Sequence, residues 1–65
     1  MFNIKIFADG KVQQQLLGAD GYAGYSFLKH VGLDEYQIAC ITRSLTRNGV
    51  TITSFNGQTI SVVRK

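Results

Sequence analysis

Apolar and polar residues alternate at the start of the chain with a period of two, which is typical of a half-buried β-strand. The alternating apolar residues are Phe2, Ile4 and Ile6. The Asp9-Gly10 pair that follows is a strong hairpin signal, and residues 11–17 provide the returning strand. A three-residue loop with a left-handed Gly10 would pair Ile6 with Val12 and keep the apolar side chains on one face. We therefore predict this loop rather than a two-residue turn.

The end of the chain repeats the same pattern. Residues 50–54 and residues 58–62 both alternate, and Phe55-Asn56-Gly57 separates them. A three-residue loop would make Ile52 face Ile60 across the hairpin, with threonine and serine side chains on the outer face. A two-residue Asn-Gly turn would scatter the apolar side chains over both faces. The alternation therefore favours the three-residue loop here as well.

Two helices are predicted between the hairpins. The first runs from about Tyr22 to Val31, with Asp20 as its N-cap and Gly32 in the left-handed position that ends it. Its apolar stripe consists of Ala23, Phe27, Leu28 and Val31. Leu33 would pack back on Leu28 after this stop.

The second helix has the clearest boundary signals. Asp34 caps it, Gln37 completes a capping box, and Asn48-Gly49 ends it. Its buried stripe consists of Ile38, Ile41 and Leu45. Residues 36–42 also have the composition of a strand, which would suit a β-grasp arrangement, but the boundary signals favour the helix.

These elements give the order ββααββ. Residues 1–65 leave room for one domain only. We predict an α+β two-layer sandwich, in which two β-hairpins form a sheet and two short helices pack on one face. A domain of this length buries only roughly 60% of its unfolded surface and is marginally stable, so a homodimer would help it.

The location of the protein is predicted from its single cysteine and its N-terminus. Cys40 has no partner for a disulfide, whereas small secreted domains normally carry several pairs, so we expect a cytoplasmic protein. Lys5 interrupts the short apolar run at the start, which matches neither a signal peptide nor a transit peptide. No run approaches the roughly 18 apolar residues of a membrane span, and no membrane association is predicted.

Reactive side chains are scarce. The chain has one histidine, one cysteine and four carboxylates. A turn explains Asp9, a helix cap explains Asp34, a helix C-terminus suits His30, and Cys40 is interpreted as a packing residue. We predict no catalytic activity, metal site, cofactor or small-molecule substrate. An enzyme subunit that is catalytic only after assembly remains an alternative, which substitution of Cys40 and His30 would test.

Charge is distributed unevenly along the chain. The net charge is +3, with −1 in residues 1–42 and +4 in residues 43–65. Such an asymmetry indicates an anionic partner, and the arginines of the second helix lie opposite its apolar stripe. We therefore predict a non-catalytic regulator that binds DNA or RNA. The predicted nucleic-acid-binding residues are Tyr36, Arg43, Ser44, Arg47, Asn48, Arg64 and Lys65.

The stretch from Phe27 to Lys65 resembles the distal half of a winged helix-turn-helix domain. The resemblance covers about three-fifths of the chain and rests on the spacing of two helices and a hairpin. It implies that the second helix contacts nucleic acid and that the hairpin is a wing. The chain departs from the pattern at its start, where a hairpin stands in place of a further helix. Asp34 and Glu35 also lie where phosphates would approach.

The outer face of the terminal hairpin is a second candidate surface. Exposed strand edges pair with partner proteins or with a second copy of the same chain. The alternative function is therefore a protein-interaction module, such as an inhibitor or adaptor, or a homodimer. The predicted partner-binding residues are Thr51, Thr53, Phe55, Thr59 and Ser61.

Overall fold

The computed structural model describes all 65 residues and confirms the predicted element order. The elements are β1 (Phe2–Ala8), β2 (Lys11–Ala19), α1 (Gly21–Val31), α2 (Glu35–Asn48), β3 (Val50–Phe55) and β4 (Gln58–Arg64). The four strands form one antiparallel sheet in the order β2-β1-β4-β3. Both helices pack on the same face of this sheet, so the predicted α+β two-layer sandwich is confirmed.

Local signals define both ends of α1. Asp20 Oδ1 accepts a hydrogen bond of 2.8 Å from the Ala23 N–H, so the predicted N-cap is confirmed. At the other end, Gly32 has a φ of 122° and its N–H donates to the carbonyl of Leu28. The Leu33 N–H donates to the same carbonyl at 3.1 Å, which turns the chain toward α2.

The capping box of α2 forms as predicted. Asp34 Oδ1 accepts from the Gln37 N–H at 2.8 Å, and Gln37 Oε1 accepts from the Asp34 N–H at 2.9 Å. Gly49, with a φ of 77°, ends the helix. The strand alternative for residues 36–42 is therefore wrong.

The first hairpin turns in two residues, and the predicted three-residue loop is wrong. Asp9 and Gly10 have φ values of 54° and 76°, and Ala8 pairs with Lys11. Such turns match the twist of the flanking strands. Val12 consequently lies opposite Phe7 rather than Ile6. An irregularity in β2 then shifts the register by one residue, which returns Leu16 to the helix-covered face opposite Ile4.

The second hairpin also turns in two residues, Asn56-Gly57, again against the prediction. Thr53 lies opposite Ile60, whereas Ile52 lies opposite Ser61 and is 69% exposed. No register shift corrects this hairpin. We call the side of the sheet turned away from the helices the open face. On this hairpin the open face consists of Val50, Ile52, Ser54, Thr59, Ser61 and Val63.

A core of nine buried side chains lies between the sheet and the helices. It consists of Ile4, Ile6, Leu28, Leu33, Ile38, Ile41, Leu45, Ile60 and Val62. The predicted stripe of α2 belongs to this core, which turns the opposite side of α2 to solvent. The β3-β4 hairpin is half of the central sheet, because β4 also pairs with β1, so it is not a free-standing wing. Neither helix has the length and apolar character that crossing a membrane requires.

Candidate nucleic-acid interface

The side of α2 that faces away from the sheet carries Tyr36, Arg43 and Arg47, which we call the basic helix face. Its residues are exposed, Tyr36 to 77%. The capping box fixes the start of the helix and the apolar stripe fixes its rotation, so these three side chains project into solvent. Tyr36 and Arg47 are eleven residues apart, about 16 Å along the helix axis.

Both arginines of the basic helix face lack an acidic partner. The only ion pair of the chain joins Lys29 Nζ to Glu35 Oε1 at 3.4 Å. The guanidinium groups of Arg43 and Arg47 are therefore free to bind an external anion without first breaking an internal contact. An exposed internal ion pair would compete only weakly in any case.

The two acids at the start of α2 are both engaged inside the fold. Asp34 accepts the capping-box hydrogen bond from Gln37. Glu35 accepts a hydrogen bond from the Tyr25 hydroxyl of α1 and lies beside Lys29. The Tyr25 hydrogen bond, together with Lys29, lowers the pKa of the Glu35 carboxyl. Because Glu35 turns toward α1, its carboxylate does not lie on the basic helix face.

The contact between the Glu35 carboxylate and the Tyr25 hydroxyl predicts how stability depends on pH. The lowered pKa of Glu35 means that its contribution to stability is complete above its ordinary pKa of 4.5. The contribution is lost as pH falls through the folded-state value. We expect the melting temperature of the wild type to fall more steeply below pH 4.5 than that of Glu35→Gln, whose amide oxygen keeps an acceptor for Tyr25. Thermal unfolding followed by circular dichroism measures both, and parallel curves would contradict the assignment.

The remaining predicted nucleic-acid residues lie near the end of α2, with one exception. Asn48 is exposed in the last turn, and the Arg64 N–H donates to the Gly49 carbonyl at 2.8 Å. Lys65 follows and its N–H donates to the Met1 carbonyl. Ser44 is half-buried and faces β3 instead of solvent. We call Arg47, Arg64 and Lys65 the basic end of the molecule.

The fold separates the charges along the direction of α2. The basic end contains only one carboxylate side chain, Asp20, which caps α1. The opposite end contains the other three carboxylates, Asp9, Asp34 and Glu35, together with two lysines, Lys11 and Lys29. This separation through space was not visible in the linear charge count, and it favours approach of a polyanion to the basic end.

The predicted partner-binding residues do not form one surface. Thr51 and Thr53 are half-buried and face α2, whereas Thr59 and Ser61 lie on the open face. Phe55 is half-buried against the core and packs beside Gly32 instead of standing exposed at the loop tip. The two-residue turn is the reason, because it reverses the facing of every residue in β3 relative to the prediction.

A groove of about 200 Å³ lies between α2 and the edge strand β3. Its walls include Tyr36, Cys40, Ser44, Thr51 and Thr53. The exposed Ile52 and Val50 lie on the other side of the same strand. Sequence reasoning missed these apolar residues, although the Asn-Gly pair is itself a signal for a two-residue turn.

Reactive groups do not gather elsewhere in the fold. Cys40 is exposed on α2, and His30 is exposed near the end of α1. No three side chains of the His, Cys, Asp and Glu types lie close enough together to hold a metal ion. No family model, curated protein or solved structure matches the chain.

Proposed function

We propose that this protein is a non-catalytic regulator that binds the phosphate backbone of a nucleic acid through the basic helix face. One observation carries the proposal: Arg43 and Arg47 stand exposed on a rigidly capped helix, and neither has an internal acidic partner. Arg64 and Lys65 extend the same positive region at the basic end.

Arginine suits this task for a chemical reason. Its planar guanidinium presents several N–H donors that match two phosphate oxygens at once. Arg43 and Arg47 are four residues apart, about 6 Å along the helix axis, so they can contact different phosphates. Tyr36, on the same face, offers a hydroxyl donor to phosphate or a ring to an unpaired base.

A salt titration tests the proposal. We expect fluorescence anisotropy to show binding to a labelled oligonucleotide at low salt, and steep weakening as salt is added. Four phosphate contacts correspond to a slope of log affinity against log salt of about −3.6 on duplex DNA, and about −2.8 on a single strand. Duplex DNA, duplex RNA and single strands tested in parallel identify the preferred form. Absence of binding to all of them at low salt would refute the proposal.

A protein-binding role is the second candidate, and the unpaired edge of β3 beside the α2 groove is the observation that favours it. An extended segment can add to such an edge through main-chain hydrogen bonds and place side chains in the groove. Salt separates the two candidates. A strand-addition complex should survive high salt, whereas a phosphate-backbone complex should dissociate.

A further inference from the structure

The backbone of β3 has hydrogen-bonding groups that nothing in the chain satisfies. Gly49 accepts from the Arg64 N–H, which fixes the phase of the β3-β4 ladder. In an antiparallel pair, alternate residues direct their N–H and C=O groups to the same neighbour. The Gly49 carbonyl therefore bonds to β4, and so do the backbone groups of Thr51 and Thr53, which are in phase with it. The residues between them, Val50, Ile52 and Ser54, direct their backbone groups to the free side.

This edge lacks the features that normally prevent strand pairing. Charged residues, proline and bulges are the usual protections. β3 has none of them, and the whole stretch from Val50 to Val63 contains no ionisable side chain. The opposite edge strand, β2, starts with Lys11, contains a left-handed Gly18, and has two register shifts. Of the two edges, only that of β3 is regular in register and uncharged.

We infer that the edge of β3 is occupied by β3 of a second copy of this chain, antiparallel to the first, with a two-fold axis through Ile52. A two-fold pairing must match residues that both direct their backbone groups to the free side. With Ile52 opposite its own counterpart, Val50 pairs with Ser54 of the second copy. All the free groups of β3 are then used, whereas a shift of two residues in either direction leaves one residue at the end of each strand unpaired.

The helices beside the edge are antiparallel to each other under this symmetry. The two α2 helices lie next to each other and run in opposite directions. The N-terminal end of one helix therefore lies toward the C-terminal end of the other. The helix dipoles are likewise opposed in the favourable sense. In each copy, the groove between α2 and β3 lies next to the groove of the other copy. Its residues Tyr36, Cys40 and Ser44 therefore flank the contact.

The area required for a stable dimer involves the helices as well as the strands. A specific interface buries about 800 Å² on each partner, roughly a fifth of the 4285 Å² accessible surface of this chain. The joined sheet has eight strands, with four helices on one face. Arg43 and Arg47 of both copies then form one extended positive surface. This last consequence rests on the proposed function; the pairing itself does not.

Sedimentation equilibrium of the full chain tests the pairing. From micromolar to millimolar concentration, we expect the mass to rise from 7.2 kDa toward twice that value. Ile52→Pro is the decisive variant, because the Ile52 N–H faces the free side and its loss breaks no hydrogen bond within the chain. We expect this variant to stay monomeric while its circular dichroism spectrum remains that of the wild type.

A second pair of variants tests the dimer independently of whether the proline variant folds. Ile52→Lys places a charge on the edge, whereas Thr59→Lys places the same charge on the open face of the interior strand β4. Only Ile52→Lys should abolish the dimer. A homobifunctional thiol reagent should also cross-link the wild type through Cys40, and should not cross-link Ile52→Lys.

The outcomes separate this inference from the proposed function. A wild type that stays monomeric to millimolar concentration overturns the inference, as does a dimer that persists in both Ile52 variants. Anisotropy measured on the same samples reports nucleic-acid binding independently. A monomer that binds nucleic acid overturns the pairing alone, and a dimer that binds none overturns the proposed function alone. Binding of another protein to the edge of a monomer also counts against pairing with a second copy.

Discussion

Replacing Ile60 by alanine should remove about 2–5 kcal/mol from the free energy of unfolding. Ile60 is fully buried in the interior strand β4, between the sheet partners β1 and β3 and beneath the helices. The deleted methyl and methylene groups lose their burial, and the surrounding core cannot close the cavity fully. A domain of 65 residues has a total stability of about 3–10 kcal/mol, so this loss is a large fraction of the total.

Ile52→Ala is the matched control for this experiment. The residue type and the substitution are the same, and the neighbouring strand is involved, but Ile52 is 69% exposed on the open face. Its loss should change the free energy of unfolding by about 0.5 kcal/mol or less. Urea denaturation at low micromolar concentration, where self-association is weakest, measures both variants. Equal losses would contradict the two-residue turn, since a three-residue loop would bury Ile52 and Ile60 together.

The helices could be predicted from sequence because their determinants are local. Asp34 and Gln37 are three residues apart, and Gly32 and Gly49 follow directly on the helices they end. The apolar stripe of α2 has a helical period that no strand could bury on one side. These signals need no knowledge of distant residues, and the boundaries of both helices agree with the prediction to within one residue.

The hairpins could not be predicted correctly from apolar alternation alone. In β2 an extra residue restores the register, so the final facing depends on an irregularity that alternation does not reveal. In β3 alternation gave the wrong answer, because an edge strand buries little on either face. Thr51 and Thr53 are only half-buried, so placing them under α2 costs little free energy. The preferred geometry of the Asn56-Gly57 turn therefore decides which residues of β3 face the helix.

Part of the candidate interface was predictable because it depends on the local signals of α2. Helical periodicity alone places Arg43 and Arg47 opposite the buried stripe. The engagement of Glu35 was not predictable, because it depends on Tyr25 reaching across from α1. Arg64 was expected near the interface from charge alone, but its position beside Gly49 follows from the register of the β3-β4 hairpin.

The double substitution Arg43→Ala/Arg47→Ala should weaken nucleic-acid binding by roughly tenfold to a hundredfold at moderate salt. Each lost phosphate contact should also reduce the steepness of the salt dependence by about 0.9 on duplex DNA. The fold should be unaffected, because both side chains are exposed and have no internal ion pair. Fluorescence anisotropy across a salt series measures affinity and slope together.

Lys5→Ala/Lys11→Ala provides the control for net charge. Both double variants reduce the net charge from +3 to +1. Lys5 lies on the open face of β1 and Lys11 at the end opposite the basic end, so neither belongs to the basic helix face. Long-range attraction alone would weaken binding equally in the two variants. A local interface on α2 requires the arginine pair to have the larger effect and the larger change in slope, and equal effects would refute it.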